Sequence, residues 1–349
     1  MTLIYNYPHL PASARLVVST GLAYQLFDMK KWNEPDAVTA AACEWLLRGG
    51  NRGGYSGPDP GPGHDLTPLL ARETGREKKV LMFEAMWVRM EEVARPVLKA
   101  VGRRSGSVWA FKGYDLAQSI YPFPGARPMG DLDLFVPKAE AAEVIDVFTG
   151  CGWSAGTPGR GIFSAGIVSE MKMQRLGVLA ELHSHIFYFP ATFPGRLPRD
   201  LFLGGRELRP GLMAFSWHNS LLMVILHMLT NSGLRPVWWV DVCLLCRKVG
   251  ESSSWRDFAR NGRDTLLGKA VSSVLRTASV RLGAPVPEAV MASLENSRSC
   301  GDAVLPGLRA GNRIPTLMNL KYLRGWRKVS WFYALLWMVL LRRRPISRD

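Results

Sequence analysis

The chain has 349 residues, enough for two domains or one large one, and 47% of them are hydrophobic, as in an ordinary globular protein. Lysine and arginine number 44 against 29 aspartates and glutamates, and the net charge of +15 favours an anionic partner, whether a nucleotide, a nucleic acid or a lipid surface. The five cysteines are an odd number, which argues against a disulfide framework.

The N-terminal part is predicted to be helical. Residues 1–75 form a mostly helical segment in this interpretation, with a Gly- and Pro-rich loop at 49–68. No basic stretch followed by an apolar stretch marks a signal peptide, and we expect a cytoplasmic protein. The amphipathic pattern of 75–101 predicts a long helix that bends or ends near Pro96.

Residues 76–199 mix predicted strands and helices, and we interpret them as the folded core. The predicted strands are SVWAFKG (107–113), DLDLFV (131–136), GIFSAGIVS (161–169) and GVLAELHSHI (177–186), and the predicted helices are 113–121 and 138–153. The last two strands are predicted to form a hairpin. Residues 121–130 contain three prolines and two glycines, which indicates a loop.

Residues 200–349 are predicted to form a helical C-terminal region. Cys243 and Cys246 form a CxxC pair inside an apolar run, and we interpret them as reduced core residues on a helix. The apolar run 329–341 has 13 residues, too few to span a bilayer. It is interpreted as a buried helix, with an interfacial helix at a membrane surface as the alternative.

The stretch GDLDLFV places two carboxylates in a predicted strand. Successive side chains of a strand point to opposite faces, so Asp131, Asp133 and Phe135 share one face. The two carboxylates lie roughly 6–7 Å apart along the strand and can converge on one hard cation such as Mg²⁺. The alternative is the solvated face of an edge strand.

A third carboxylate, Glu181, lies in the otherwise apolar stretch GVLAELHSHI. Burial of this group is costly unless it is paired or bound to a cation. If this strand lies beside DLDLFV, three carboxylates meet at one place, as a two-metal site requires. The alternative places Glu181 on a solvated face together with His183 and His185.

Basic and small residues before the acidic strand are candidates for phosphate binding. Lys112 and Gly113 lie where a predicted strand meets a helix, whose N-terminal N–H groups favour phosphate. Arg127 precedes Asp131 by four residues and has the reach to contact a phosphate oxygen. Each of these residues also fits a plain surface position.

Together and in this order, these residues resemble the uncharacterised bacterial nucleotidyltransferase family of the polymerase-β-like superfamily. The resemblance covers about residues 76–245. The motifs that carry it are Lys112-Gly113, Tyr121-Pro122, Arg127-Pro128, Asp131-Leu132-Asp133 and Glu181-Leu182-His183.

The resemblance implies an α+β fold, with a small mixed sheet flanked by helices and a helical C-terminal region. It implies that Asp131, Asp133 and Glu181 bind Mg²⁺ or Mn²⁺, and that a nucleoside monophosphate passes from an NTP such as ATP to an acceptor hydroxyl with release of pyrophosphate. Glu181 would take the acceptor's proton. The candidate acceptor-side residues are His183, Arg235 and Asp241.

Three alternatives to a transferase with a small-molecule, peptide or protein acceptor remain open. The charge of +15 also fits a transferase that acts on tRNA or another nucleic acid. A non-catalytic nucleotide-binding scaffold is the second alternative, although such a protein has no evident need for Glu181. The third is a membrane-surface protein that uses its Trp-rich, Arg-flanked C-terminus.

Overall fold

The computed structural model describes residues 77–297, apart from 105–107, 122–123, 157–159, 165, 167, 188–189, 191–192, 194, 231–235 and 253. The predictions for the N-terminal segment, the apolar run 329–341 and Arg235 therefore lie outside the described residues.

Helices and strands are mixed up to residue 214, and helices follow. The α-helices are α1 Glu77–Arg104, α2 Lys112–Ser119, α3 Ala141–Gly150, α4 Arg160–Ser164, α5 Trp217–Thr230, α6 Pro236–Glu251, α7 Trp255–Asp264, α8 Gly268–Leu282 and α9 Glu288–Glu295. The strands are β1 Val108–Ala110, β2 Asp131–Phe135, β3 Ser154–Ala155, β4 Glu170–Arg175, β5 Val178–His183, β6 Arg206–Arg209 and β7 Leu212–Ala214. Short 3₁₀ turns lie at Pro124–Ala126 and Lys138–Glu140.

The strands form one seven-stranded mixed sheet in the order β3-β4-β5-β2-β1-β7-β6. The central strand β2 is parallel to β5 and antiparallel to β1, and β1 is in turn parallel to β7. The mixed sheet flanked by helices that the resemblance implied is therefore confirmed.

The two faces of the sheet have different neighbours because side chains alternate along each strand. On one face, Leu132, Leu134 and Leu182 pack into a core with α1 and α3. On the other face, Phe111 and Phe135 pack into a second core with α5–α8. Asp133 and Phe135 share their face of β2, so the helical region covers the sheet next to the predicted carboxylates.

Helix α1 confirms the predicted long helix but does not end at Pro96. A proline inside a helix removes one backbone hydrogen bond and crowds the preceding turn. Here the helix continues to Arg104, and Val97, Leu98 and Val101 beyond the proline are almost fully buried. Burial of this apolar turn against the sheet offsets the cost of the proline.

The predicted strand at 161–169 is wrong, and the hairpin partner of β5 lies further along the chain. Residues Arg160–Ser164 are helical, and β4 (Glu170–Arg175) pairs antiparallel with β5 through a tight turn at Leu176 and Gly177. Both turn residues have positive φ, 48° and 77°, as a type I′ two-residue hairpin turn requires.

Residues 206–214 also differ from the sequence prediction, which gave only helices after residue 200. Strands β6 and β7 form an antiparallel hairpin, and β7 extends the sheet beside β1. The Pro210-Gly211 dipeptide between them is a turn signal that the helical interpretation overlooked. The division of the chain at residue 199 remains a prediction, and the sheet itself extends past that number.

The CxxC pair lies on α6, as predicted. Cys243 and Cys246 are free thiols and are fully buried. Burial raises the pKa of both thiols, which keeps them protonated and unreactive. The interpretation as core residues on a helix is confirmed.

Candidate active site

Strands β2 and β5 bring two of the predicted carboxylates side by side. The strands run parallel, with Asp133 opposite Glu181 and Asp131 opposite Leu179. The condition stated in the sequence analysis, that these two strands are neighbours, is therefore met. Adjacent strands lie about 4.8 Å apart, so Asp133 and Glu181 project from the same face at a separation that one cation can bridge.

Asp133, Glu181 and His183 form a compact set of metal-ligand atoms. One donor atom from each lies within 4.8 Å of the other two. The His183 Nε2 atom is 3.1 Å from Asp133 Oδ1 and 3.6 Å from Glu181 Oε2. Two carboxylates and an imidazole are suitable ligands for a divalent cation, so the residues fit the metal that the resemblance implies.

His183 lies among the carboxylates, although the sequence analysis placed it on the acceptor side. It is the last residue of β5 and has the same parity as Glu181. The Phe111 ring meets its imidazole edge to face at 5.1 Å between ring centroids. Beyond the end of β5, His185 is held differently, because its Nδ1 accepts a hydrogen bond from the Phe187 N–H.

Asp131 is on the same strand face but is not a member of the compact set. Burial, together with repulsion by the Asp133 and Glu181 carboxylates, raises its pKa from 3.8 to about 7. A cation bound nearby would stabilise the ionised form of this carboxyl group. Its predicted place among the metal ligands remains a proposal.

Glu181 has the opposite electrostatic state. Burial alone would raise its pKa, but the hydrogen bond and charge of His183 and the charges of Lys112 and Lys172 outweigh burial and lower it to about 2. Glu181 is therefore ionised at neutral pH and bound by cationic groups.

Lys112 contacts the same carboxylate as His183. The chain leaves β1 beside β2, where the Phe111 N–H donates to the Asp133 carbonyl, and it turns into α2 at Lys112. The Lys112 Nζ atom lies 2.6 Å from Asp133 Oδ1 and is almost fully buried. Burial lowers the pKa of Lys112, but the charges of Asp133 and Asp131 more than reverse this effect, and the net shift is upward.

The backbone of Lys112 has φ of 52°, in the left-handed region that non-glycine residues rarely occupy. Such a conformation is strained and persists only when the surrounding structure holds it in place. Here it directs the Lys112 side chain toward the carboxylates of β2 and β5.

Arg127 and Asp241, assigned by sequence to nucleotide and acceptor, contact each other. Asp241 lies on α6 and accepts two hydrogen bonds from Arg127, at 3.1 Å from Nε and 2.7 Å from Nη2. The Tyr121 hydroxyl donates to the same carboxylate at 2.7 Å. All three side chains are buried, so this cluster joins the Pro-rich loop to the helical region.

Gly113 connects this cluster to the turn at Lys112. A Cβ atom built on Gly113 would lie 3.1 Å from Arg127 Nη1 and 3.3 Å from Met129 Cβ, closer than most side-chain contacts. The absence of a side chain lets the start of α2 lie against the Arg127 guanidinium. The assignments of Lys112, Gly113 and Arg127 to the nucleotide remain proposals.

Strand β4 contributes two charged residues that the sequence analysis missed. Lys172 is opposite Glu181, and its Nζ atom lies 3.2 Å from Glu181 Oε1 and 3.9 Å from Glu170 Oε1. Burial, and to a smaller extent repulsion by the Glu181 carboxylate, raises the pKa of Glu170. The signal was the alternation in Glu170-Met-Lys-Met, where both methionines are buried and the charged residues face the site.

The charge of Asp131 leads to a testable effect on stability. Folding raises the pKa of Asp131, so protonation of this group stabilises the folded protein. The stabilisation is complete below pH 3.8 and is lost as the pH rises through 7. We expect Asp131→Asn to stabilise the EDTA-treated protein at pH 8 by about 2 kcal/mol, after a discount for solvent screening. This corresponds to roughly 4–8 °C in Tm, with a smaller gain at pH 5.

The measurement is thermal unfolding followed by circular dichroism at both pH values. Asp146→Asn is the matched control, because the Asp146 carboxylate is half exposed and pairs with Arg160 on the surface. An unchanged or lower Tm of Asp131→Asn at pH 8 would contradict this description of the site.

A mixed sheet with acidic residues on two adjacent parallel strands is consistent with the core of a nucleotidyltransferase. A family model described as "Uncharacterised nucleotidyltransferase" matches residues 79–283, more than half of the chain, and the protein belongs to this family. The resemblance stated from the sequence is thereby confirmed, and the family supports a transferase.

The other comparisons gave no match, either among curated proteins or among solved structures. Within the part of the chain that the structure describes, every helix is too short or too polar to span a bilayer.

Proposed function

We propose that this protein is a metal-dependent nucleotidyltransferase that moves a nucleoside monophosphate from an NTP to a hydroxyl-bearing acceptor and releases pyrophosphate. The observation that carries the proposal is the pairing of β2 with β5, which sets Asp133 opposite Glu181. His183 and Lys112 both contact the Asp133 carboxylate. The family supports transfer chemistry, and the ligand set supports a divalent cation, which we propose to be Mg²⁺ or Mn²⁺. We assign the reaction to the cytoplasm.

The reaction needs little covalent chemistry from the protein. The acceptor oxygen forms a bond to the α-phosphorus, the bond from that phosphorus to the bridging oxygen breaks, and pyrophosphate leaves with the electron pair. A bound divalent cation would neutralise part of the negative charge of the phosphates. The protein's task is to position the two substrates and to stabilise the charge that develops.

The charged residues divide this task in the proposal. Asp133 and Glu181 hold the cation, with Asp131 or His183 completing the ligand set. Lys112 contacts the triphosphate, and Gly113 allows the phosphates to approach the start of α2.

The hydroxyl proton passes to a carboxylate in this mechanism. Glu181, assigned to this step from the resemblance, has a pKa of about 2 and is a weak base. Asp131, with a pKa of about 7, is better matched to proton removal near neutral pH. We therefore assign the step to Asp131 in the arrangement in which His183, and not Asp131, completes the ligand set.

We propose a positioning role for Arg127 and Asp241 in place of the direct nucleotide and acceptor contacts assigned from the sequence, because they bind each other. Their buried ion pair fixes the Pro-rich loop and the turn at Gly113 relative to α6. In this way the helical region, to which we assign acceptor selection, is mechanically joined to the nucleotide side of the site.

The experiment is a transfer assay with purified protein, each α-³²P-labelled NTP, Mg²⁺ or Mn²⁺, and a cell extract as the acceptor pool. The Asp131→Asn/Asp133→Asn variant is the control. Label that enters a metabolite, peptide, protein or nucleic acid only with the intact aspartates supports the proposal and gives the acceptor class. NTP binding that needs no metal, with no transfer under any condition, would favour a non-catalytic scaffold.

A further inference from the structure

We propose that Lys112 is an internal counter-cation that holds Asp133 until a triphosphate attracts its ammonium group away, so that metal and nucleotide bind cooperatively. This inference rests on the proposed function, because it concerns the same metal site. It adds an order of events: without nucleotide, the chain's own cation competes with the metal for Asp133.

The contacts place Lys112 on the oxygen that a metal needs. Asp133 Oδ1 is 2.6 Å from Lys112 Nζ and 3.1 Å from His183 Nε2. A divalent cation that binds this oxygen meets the positive charge of the ammonium group at contact distance, and the two repel each other. The metal therefore binds well only when the ammonium group moves.

Burial makes Lys112 a strong competitor of the metal, whereas exposure makes the second lysine, Lys172, a weak one. The Lys112 side chain is only 8% exposed, so solvent screens its charge little. Lys172 makes a similar contact with Glu181, at 3.2 Å, but 48% of its side chain is exposed. Water can replace the Lys172 contact at small cost.

The backbone explains how Lys112 can leave while the turn stays in place. Its left-handed conformation fixes the Cα position beside Asp133, and Gly113 follows it directly into α2. The four-carbon stem of lysine carries the ammonium group on freely rotating bonds. The several negative charges of a triphosphate bound at this turn offer that group a better partner than one carboxylate.

Linkage then makes the effect reciprocal. A ligand that draws Lys112 away raises the metal affinity of Asp133, and the metal raises the affinity for that ligand by the same factor. Removal of the ammonium group should free the metal site and abolish the cooperativity.

The test is Mn²⁺ binding to the full-length protein at pH 7.5, measured by electron paramagnetic resonance of free Mn²⁺. We compare the wild type with Lys112→Met, and with Lys172→Met as the matched control. We expect Mn²⁺ alone to bind Lys112→Met at least about tenfold more tightly than the wild type, and Lys172→Met within about threefold of it. Equal or weaker Mn²⁺ binding by Lys112→Met would overturn the proposal.

Cooperativity is measured with inorganic tripolyphosphate, after subtraction of the Mn²⁺ that the probe binds in a protein-free titration. The wild type should gain at least about tenfold in Mn²⁺ affinity, and Lys112→Met less than threefold. An equal gain in both proteins, or none in the wild type, would contradict the proposal.

Lys112→Gly is the second variant, because glycine adopts positive φ without strain. If either variant is unfolded in EDTA, we expect Mn²⁺ to restore the folded state, and a variant that stays unfolded at saturating Mn²⁺ would contradict the proposal. Absence of Mn²⁺ binding in the wild type and every variant would instead remove the metal site, and with it the proposed function. Equal Mn²⁺ affinity in the wild type and Lys112→Met removes only the role of Lys112.

Discussion

Asp133→Asn is expected to lower the rate of nucleotidyl transfer by about 10²–10³-fold. Asp133 is the residue on which the site converges, because its carboxylate contacts both Lys112 and His183 and lies opposite Glu181. Asparagine keeps the shape but replaces one oxygen with an amide donor and removes the charge. A cation loses an anionic ligand, and Lys112 loses its counter-ion.

The measurement is the initial rate of α-³²P transfer at saturating Mn²⁺, together with Mn²⁺ affinity and a thermal unfolding curve. Asp146→Asn removes the same charge from an exposed position and should leave the rate within a factor of two. A folded Asp133→Asn protein with a rate within tenfold of the wild type would show that Asp133 is not at the reaction centre.

Asp241→Ala is expected to destabilise the protein by about 3–5 kcal/mol. Its carboxylate neutralises Arg127, which is buried, and accepts the Tyr121 hydroxyl. Without Asp241, a guanidinium group and a phenol hydroxyl remain buried with their partner removed, and this costs far more than the net value of the pair. Urea unfolding followed by tryptophan fluorescence gives the free energy of unfolding.

Glu251→Ala, on the same helix α6, is the matched control. Its carboxylate pairs with Lys248 at 2.8 Å, but the Glu251 side chain is exposed and that of Lys248 only partly buried, so the cost should stay within about 0.5 kcal/mol. The double variant Arg127→Met/Asp241→Leu should regain a large part of the lost stability, because no charge is left buried alone. A loss below about 1 kcal/mol for Asp241→Ala would contradict the structural role given to this pair.

The sequence predicted the elements that carry the carboxylates because their patterns are local. Leu132 and Leu134 alternate with Asp131 and Asp133, and this period of two holds in β2. The pairing of β2 with β5 is a tertiary choice that periodicity leaves open, and the interpretation that Glu181 is solvated was equally compatible with the local pattern.

Strand β4 could have been found but was obscured by its charges. Its charged residues Glu170 and Lys172 lie on the face that carries the site, so the segment has less apolar character than the stretch 161–169 before it. The helix at Arg160–Ser164 took the place of the predicted strand. Residues that serve a site weaken the hydrophobic signal of the element that carries them.

Contacts between residues far apart in the chain could not be predicted from the sequence, for a different reason. Arg127 and Asp241 are 114 positions apart, and they were interpreted as ligand-binding residues, Arg127 from its local context and Asp241 from the family resemblance. Only the packing of α6 against the Pro-rich loop shows that they satisfy each other. The left-handed conformation of Lys112 was equally unpredictable, since lysine has no local preference for it.

The most direct test of the central claim follows the two ends of one nucleotide. The NTP and acceptor found in the transfer assay are supplied in two parallel reactions, one with the α-phosphate labelled and one with the γ-phosphate labelled. We predict that α-label enters the acceptor and that γ-label is recovered as pyrophosphate, both at rates that fall together in Asp133→Asn. Transfer of γ-label to the acceptor would identify a phosphoryl transferase instead and would contradict the account.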